Sequence, residues 1–248
     1  MSAATRGVLT LLTFLIAFST LPAGAPARQK RVYVVSEARG FVHDSIPDAV
    51  RFFGELGRRS PRYDVIHLRT GAAALTPRRL RSADAIVFAN TSGELPLPDR
   101  QAFLRFVRQG GGFVGTHSAS DTFHAWPQYA AMLGGEFKRH PPVSERGRLL
   151  VEAPRHPTMR RLPPAFRIVE EFYEFVSPPR RRAQVLVSLD PTSITNEVGP
   201  DHPLVWARRY GRGRVFYDAL GHFKATWSDP VHRKLLADGL DWAVGPGA

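Results

Sequence analysis

No cysteine occurs among the 248 residues. The chain therefore has no thiol nucleophile, no disulfide, no Cys-ligated metal and no lipidated N-terminal cysteine. Any metal must be held by His, Asp or Glu. Lysine is scarce too, supplying 4 of the 34 basic residues, so the net charge of +12 is an arginine excess. Those arginines are scattered. The densest groups, Arg78-Arg79 with Arg81 and Arg180-Arg181-Arg182, are short and flanked by prolines or turns. There is no aromatic-interleaved basic helix and no nucleic-acid motif, so the charge reads as a coding-composition effect and no nucleic-acid partner is expected. No repeat or low-complexity linker divides the chain. A hydrophobic fraction of 43% with 23% charged residues is enough for a real core, and one domain is expected rather than two.

The longest apolar run lies at the N-terminus. A lone Arg6 precedes an apolar stretch over residues 8–21, and residues 22–27 are small and turn-like. This is the tripartite secretory pattern, too short for a comfortable membrane span. Cleavage after Ala27 suits it better than cleavage after Ala25, which would place Pro26 directly beyond the scissile bond. The expectation is a leader over 1–27, a mature domain over 28–248 and export to the periplasm or beyond. An uncleaved anchor is the alternative.

Downstream, apolar β-branched runs at 32–35, 63–68, 85–89 and 113–115 read as strands. Between them, helices are expected after Asp44-Ser45, with Pro47 in the first turn, and over 99–108 behind Pro98. A short turn or helix fits 75–80. Strands alternating with helices imply a doubly wound, mostly parallel sheet with helices on both faces, an α/β fold. The second half is richer in strands, at 149–151, 166–175, 185–189, 203–209 and 214–218, with helices at 127–133 and 230–244. These later strands are expected to extend the sheet and build an insertion over its polar edge.

The chain centres on Gly110-Gly-Gly-Phe-Val-Gly-Thr-His-Ser-Ala-Ser-Asp121: a glycine turn, a buried strand, then a polar cluster at the strand's end. Ligands in open α/β sheets sit beyond the carboxyl ends of the strands. His117 occupies that edge with no evident structural task, whereas Ser120 and Asp121 are equally readable as caps of the next helix. His43, Asn90 and Glu94 fall at neighbouring strand ends and should line the same crevice. His67 and His232, in a strand and a helix, read as structural or surface residues. Gly115-Thr-His-Ser-Ala119 resembles a nucleophile elbow with His at its centre. Ser118 stands one position out of register, which disfavours a serine hydrolase. Histidine there suits acid–base work or metal ligation. Of Glu170 and Glu171, adjacent on a strand, at most one faces the site. With the loop histidines, whichever of the two faces the site makes a candidate His/Glu set for a divalent metal, although neither H-x-x-x-H nor H-E-x-x-H spacing is present. Phe41, Trp126, Tyr129, Tyr173, Trp206 and Trp227 lie near these loops, and any left exposed would suit the apolar face of a sugar ring.

Taken in order, several segments resemble the ThuA-like (trehalose-utilisation) proteins. They are Gly40-Phe-Val-His-Asp-Ser-Ile46, the 110–121 stretch, Trp126 with Tyr129, and Leu133-Gly-Gly-Glu-Phe-Lys-Arg-His-Pro141. They continue through His156-Pro157, Glu170-Glu-Phe-Tyr173, His202-Pro-Leu-Val-Trp206, Tyr210-Gly-Arg-Gly-Arg-Val-Phe-Tyr217 and Gly221-His222. The resemblance implies a class I glutamine-amidotransferase-like fold without amidotransferase chemistry, since His117 stands where those enzymes carry cysteine. It implies a role in trehalose and related disaccharide use, connected with 3-keto-glycosides made by partner dehydrogenases. The family's usual Asp-Glu pair is Glu170-Glu171 here, which leaves Glu171 as the matching carboxylate and the first position without an assigned role.

The expectation is thus an exported sugar-active enzyme that hydrolyses, eliminates or isomerises an oxidised glycoside. His117, Glu171 and His222 would be its catalytic or metal-ligating residues. His43, Asn90, Asp121, Trp126, His140 and Tyr173 would bind substrate. One divalent ion or plain acid–base chemistry both fit, and nothing in the sequence indicates a nucleotide cofactor. The rival expectation is a non-catalytic carbohydrate-binding domain, in which Trp126 or Trp206 would matter more than His117.

Overall fold

The computed structural model describes residues 28–246, so the expected leader over 1–27 lies outside the described residues. Among the described residues no helix is long and apolar enough to cross a membrane.

Five strands pair in parallel: β1 (Lys30–Val35), β2 (Tyr63–His67), β3 (Ala85–Ala89), β4 (Gly112–Thr116) and β11 (Gly213–Asp218). Four more continue the same sheet antiparallel: β10 (Pro203–Tyr210), β9 (Gln184–Asp190), β6 (Glu145–Val151) and β7 (Ala165–Glu170). The order is β2-β1-β3-β4-β11-β10-β9-β6-β7. A separate short ladder joins β5 (Phe137–Arg139) to β8 (Glu174–Phe175). The sheet is mixed, and the strands apolar on both faces lie at the centre of its parallel half, while β2 is a partly exposed edge. Every residue of β3 and of β4 is buried, as in a strand covered on both sides.

Helices cover both faces. Alternation along β4 turns Phe113 toward one side, where it meets Phe88 of β3, Phe103 of α3 (Arg100–Arg108) and Tyr129 of α4 (Pro127–Leu133). On the other side Gly112 lies against the Ala243 backbone of α5 (Pro230–Val244), and Phe216 of β11 fills the space beside Gly239. A side chain at Gly239 would collide with that ring, which fixes glycine at the crossing. Helix α1 (Ile46–Arg59) joins α5 through the ion pair of Glu55 with Arg233 at 2.8 Å. The short α2 (Pro77–Ser82) completes the set.

Two local expectations differ from what is found. The run read as one strand over 166–175 is broken, because β7 ends at Glu170, residues 171–173 are irregular, and β8 pairs with a different strand. The break frees Glu171 and Tyr173 from ladder geometry and turns them to the parallel strands' carboxyl edge. Ser120 and Asp121 cap no α-helix. Residues 117–121 form a 3₁₀ turn instead, and α4 starts later, at Pro127, behind Trp126.

Candidate functional site

The carboxyl ends of β1, β3, β4 and β11 meet at one edge, and the loops that leave them carry His43, Asn90, His117 and His222. His117 has φ +46, a left-handed conformation uncommon for a non-glycine residue. It is held there from both ends: Tyr217 Oη donates to the His117 carbonyl at 2.6 Å, and His117 Nδ1 lies 2.9 Å from the Ala219 carbonyl. A carbonyl only accepts, so Nδ1 carries the proton and Nε2 presents its lone pair.

That lone pair faces a crowd. His43 Nε2 stands 3.0 Å away, Tyr173 Oη 2.9 Å and Glu171 Oε2 3.7 Å. One lone pair accepts one hydrogen, so two neighbours at hydrogen-bond distance over-subscribe it. His43 Nδ1 in turn lies 3.3 Å from Ser118 Oγ. If Nδ1 donates there, both Nε2 lone pairs point at the same space. His222 Nδ1 is 3.0 Å from Glu171 Oε2, but its N–H direction misses the carboxylate and the atom is buried without a hydrogen bond. One ligand atom each from His43, His117, Glu171 and His222 lies within 4.8 Å of the others. Donor atoms about 2.1 Å from a tetrahedral ion stand about 3.4 Å apart. Here three of the pairs stand at 3.0, 3.0 and 3.7 Å, and the widest separation in the set is within 4.8 Å. The donor set and its orphaned nitrogen fit a first-row divalent cation.

Electrostatics holds three of the four side chains in the protonation state that ligates, and shifts the fourth, His222, in the other direction. Burial, followed by the neighbouring His222, pushes His43 down to about 4. Burial, followed by His43, lowers His117 well below the ordinary histidine range. Both rings are neutral near pH 7. Burial works to raise Glu171, but His222, His140 and His43 outweigh it and hold the carboxyl below its usual range. His222 moves the other way: burial opposes its charge, yet Glu171 prevails and raises it.

Glu170, beside Glu171 in the chain, points into the protein and is fully buried. It accepts from the backbone N–H of Gly221 and His222 and from Thr226 Oγ1, and burial still raises it to about 7. The same Gly221 peptide is gripped from the other end, its carbonyl accepting from Ser45 Oγ, Asn90 Nδ2 and Trp227 Nε1 at 2.7, 2.8 and 3.0 Å. His222 is thus presented by a peptide fixed at both its N–H and its C=O.

The expected site residues divide. His43, His117, Glu171, His222 and Tyr173 come together, and His140 joins at the rim with Nε2 3.5 Å from Glu171 Oε1. Asn90, Asp121 and Trp126 do not reach the open side. Asn90 is fully buried, its amide spent on Ser45, Gly221 and Thr116. Asp121 pairs with His124 at 2.7 Å. Trp126 is 4% exposed and stacks on Tyr129 beneath Arg100. The sequence reading missed the roles of Glu170 and Ser45. Ser45 carries a helix-capping signature, yet its hydroxyl serves a residue 176 positions away instead of the helix.

The comparisons with known proteins bear on the fold and the family. A structure of a ThuA-like protein from Bacteroides uniformis superposes with a TM-score of 0.76 at 24% identity, over 92% of this chain and 97% of that one. A ThuA-like protein from Parabacteroides merdae gives 0.68 at 20% identity, over 88% and 91%. A cytoplasmic protein from Salmonella typhimurium gives 0.56 at 13%, over 85% and 97%. These likenesses show the fold. A search of curated proteins found no match. The trehalose-utilisation family pattern runs over residues 31–243, from the first strand to the last helix and across every loop that builds the cluster, so the chain belongs to the ThuA family.

Proposed function

We propose that this protein is a carbohydrate-active enzyme whose centre is a divalent cation held by His43, His117, His222 and Glu171, acting on oxidised (3-keto) glycosides. The observation that carries it is the convergence of four ligating atoms within 4.8 Å, with the second nitrogens of His43 and His117 resting on neutral groups. The family's link to trehalose use supplies the substrate class.

A keto group acidifies the C–H beside it, so the reaction needs a base, a proton donor and stabilisation of the enolate oxygen. A divalent ion supplies Lewis acidity toward that oxygen. With four side chains engaged as ligands, His140 is the free imidazole at the rim. Its Nδ1 lies 2.7 Å from the Pro141 carbonyl and so holds the proton, which leaves Nε2 as the base. His140 takes the C2 proton, a C1–C2 double bond forms, and the C1–O bond breaks. The departing oxygen receives a proton from Tyr173, and the proton that His140 took from C2 then returns to the Tyr173 oxygen, so both residues end as they began. Burial raises the phenol well above its usual range, which keeps it protonated before the step. An eliminated or rearranged sugar and a free alcohol result, without an external oxidant. A sugar dehydrogenase working upstream would supply the keto group, and export through the 1–27 leader would place the reaction outside the cytoplasm. N-terminal sequencing of exported protein tests that placement.

The test is turnover. A 3-keto-glycoside should lose its leaving group in the presence of the protein, its unoxidised parent should not, and both chelation and His140→Ala should suppress the reaction. Equal action on both sugars, or none on either, overturns the proposal.

A further inference from the structure

Of the aromatic side chains that the sequence offers as sugar-stacking candidates, Trp126, Tyr129, Tyr173, Trp206 and Trp227 are at most 4% exposed. Phe41 is 64% exposed, and Val42 beside it 66%. A free phenyl ring is costly to leave in water. This one stands two residues before His43, its ring centroid 4.7 Å from the imidazole. It forms one wall of a cleft of about 530 Å³ whose other walls are Phe223, Lys224, Asp44 and His222. His222 belongs both to this cleft and to the four-residue cluster. The cleft is therefore the outer continuation of the site, with an apolar wall at Phe41 and Phe223 and one carboxylate and one ammonium at its rim.

We infer that this cleft is a second sugar subsite, in which Phe41 stacks on the apolar face of the glycoside's leaving-group ring while the oxidised ring lies at the cluster. A pyranose has the matching character: axial C–H groups cover one face, and hydroxyls around the edge meet Asp44 and Lys224. The volume accommodates one ring with its hydration and falls in the range of small-ligand sites. Continuity through His222 ties the two rings to one glycosidic link, so the occupant is a disaccharide rather than two separate monosaccharides. This inference rests on the proposed function for its inner ring, but its own observable is binding.

The experiment compares calorimetric binding of an α-linked diglucoside and of methyl α-glucoside to the metal-loaded protein, for the wild type, Phe41→Ala and Phe41→Leu. Phe41→Ala should weaken the diglucoside about tenfold and leave the methyl glucoside unchanged, with Phe41→Leu in between. Phe41 is exposed, so neither change threatens folding. Unchanged diglucoside affinity in Phe41→Ala overturns the subsite. So does a wild-type dimer that becomes monomeric in Phe41→Ala with sugar binding unaltered, since the ring would then be an interface. Phe41-dependent binding to a protein that takes up no metal supports the subsite while contradicting the proposed centre. Metal uptake and turnover without Phe41 dependence do the reverse.

Discussion

His43 Nε2 and His117 Nε2 stand 3.0 Å apart, although the two histidines are 74 positions apart in the chain and both rings are buried and neutral. The contact is satisfied either by His43 Nε2–H donating to His117 Nε2 or by both lone pairs turned to a common cation. In the second arrangement Ser118 and the Ala219 carbonyl take the Nδ1 protons.

Ser118 thereby becomes a discriminating residue. As the support of His43 Nδ1, its replacement in Ser118→Ala should weaken metal binding by roughly tenfold and leave turnover at saturating metal within a few-fold of wild type. Complete loss of turnover at saturating metal would instead mark it as a nucleophile. Competition with a chromogenic chelator measures the first quantity, and steady-state kinetics the second.

Glu170 should act through His222. Glu170→Gln is nearly isosteric but replaces one acceptor oxygen by a donor, so either the Gly221 or the His222 N–H loses its partner and the peptide that presents His222 is held less firmly. Metal affinity is expected to fall between about 10-fold and 100-fold, with the loaded enzyme's kcat much less affected. Unchanged affinity would mean that the grip of Ser45, Asn90 and Trp227 on the Gly221 carbonyl suffices alone.

A second buried pair sets a pH dependence of stability. His232 and Asp218 are both fully buried, with Nε2 and Oδ2 3.0 Å apart. Burial opposes the imidazolium, but Asp218 outweighs it and His232 is raised above its ordinary 6.5. A raised histidine stabilises the fold fully below the unfolded-state value, and the contribution disappears as pH climbs through the folded-state value. Glu170, the other titratable group facing it, holds its proton longer when folded, so its contribution falls with rising pH between 4.5 and about 7. Urea unfolding at about pH 6.5 and about pH 9, in the wild type and in His232→Gln, separates the share of His232: the wild type should lose more stability over that interval, because the raised His222 titrates in both proteins and His232 in only one. Parallel behaviour of the two proteins would contradict the assignment.

Trp126→Ala should register as lost stability, about 3 to 5 kcal/mol for emptying a packed aromatic site, with sugar affinity of the remaining folded protein unaltered. Loss of sugar binding without loss of stability would restore the binding role expected from its position near the loops. Thermal unfolding and calorimetry on the same preparation separate the two.

The parallel half of the fold was legible because its central strands are apolar on both faces and the intervening helices carry clear starts, such as Asp99, whose carboxylate accepts from the Ala102 N–H. The candidate histidines were legible for the same reason: strand ends of one parallel sheet converge, so His43 and His117 had to be neighbours. What the sequence could not supply was the path of the antiparallel half. The strand pattern over 166–175 gives no sign of the break after Glu170, because a residue released from a ladder looks like one inside it until its partner strand is known. Burial of Trp126 and diversion of Ser45 were hidden likewise. Each depends on a contact from elsewhere in the fold, and local preference alone favours an exposed ring and a helix cap.

Elemental analysis of purified, untagged protein tests the metal centre, beside His117→Ala and with His222→Ala as the second variant should the strained turn at 117 fail to fold. The account predicts about one divalent ion per chain in the wild type and its loss in either folded variant. A wild-type protein that neither carries nor takes up a divalent ion, or a variant that retains it in full, would contradict the account.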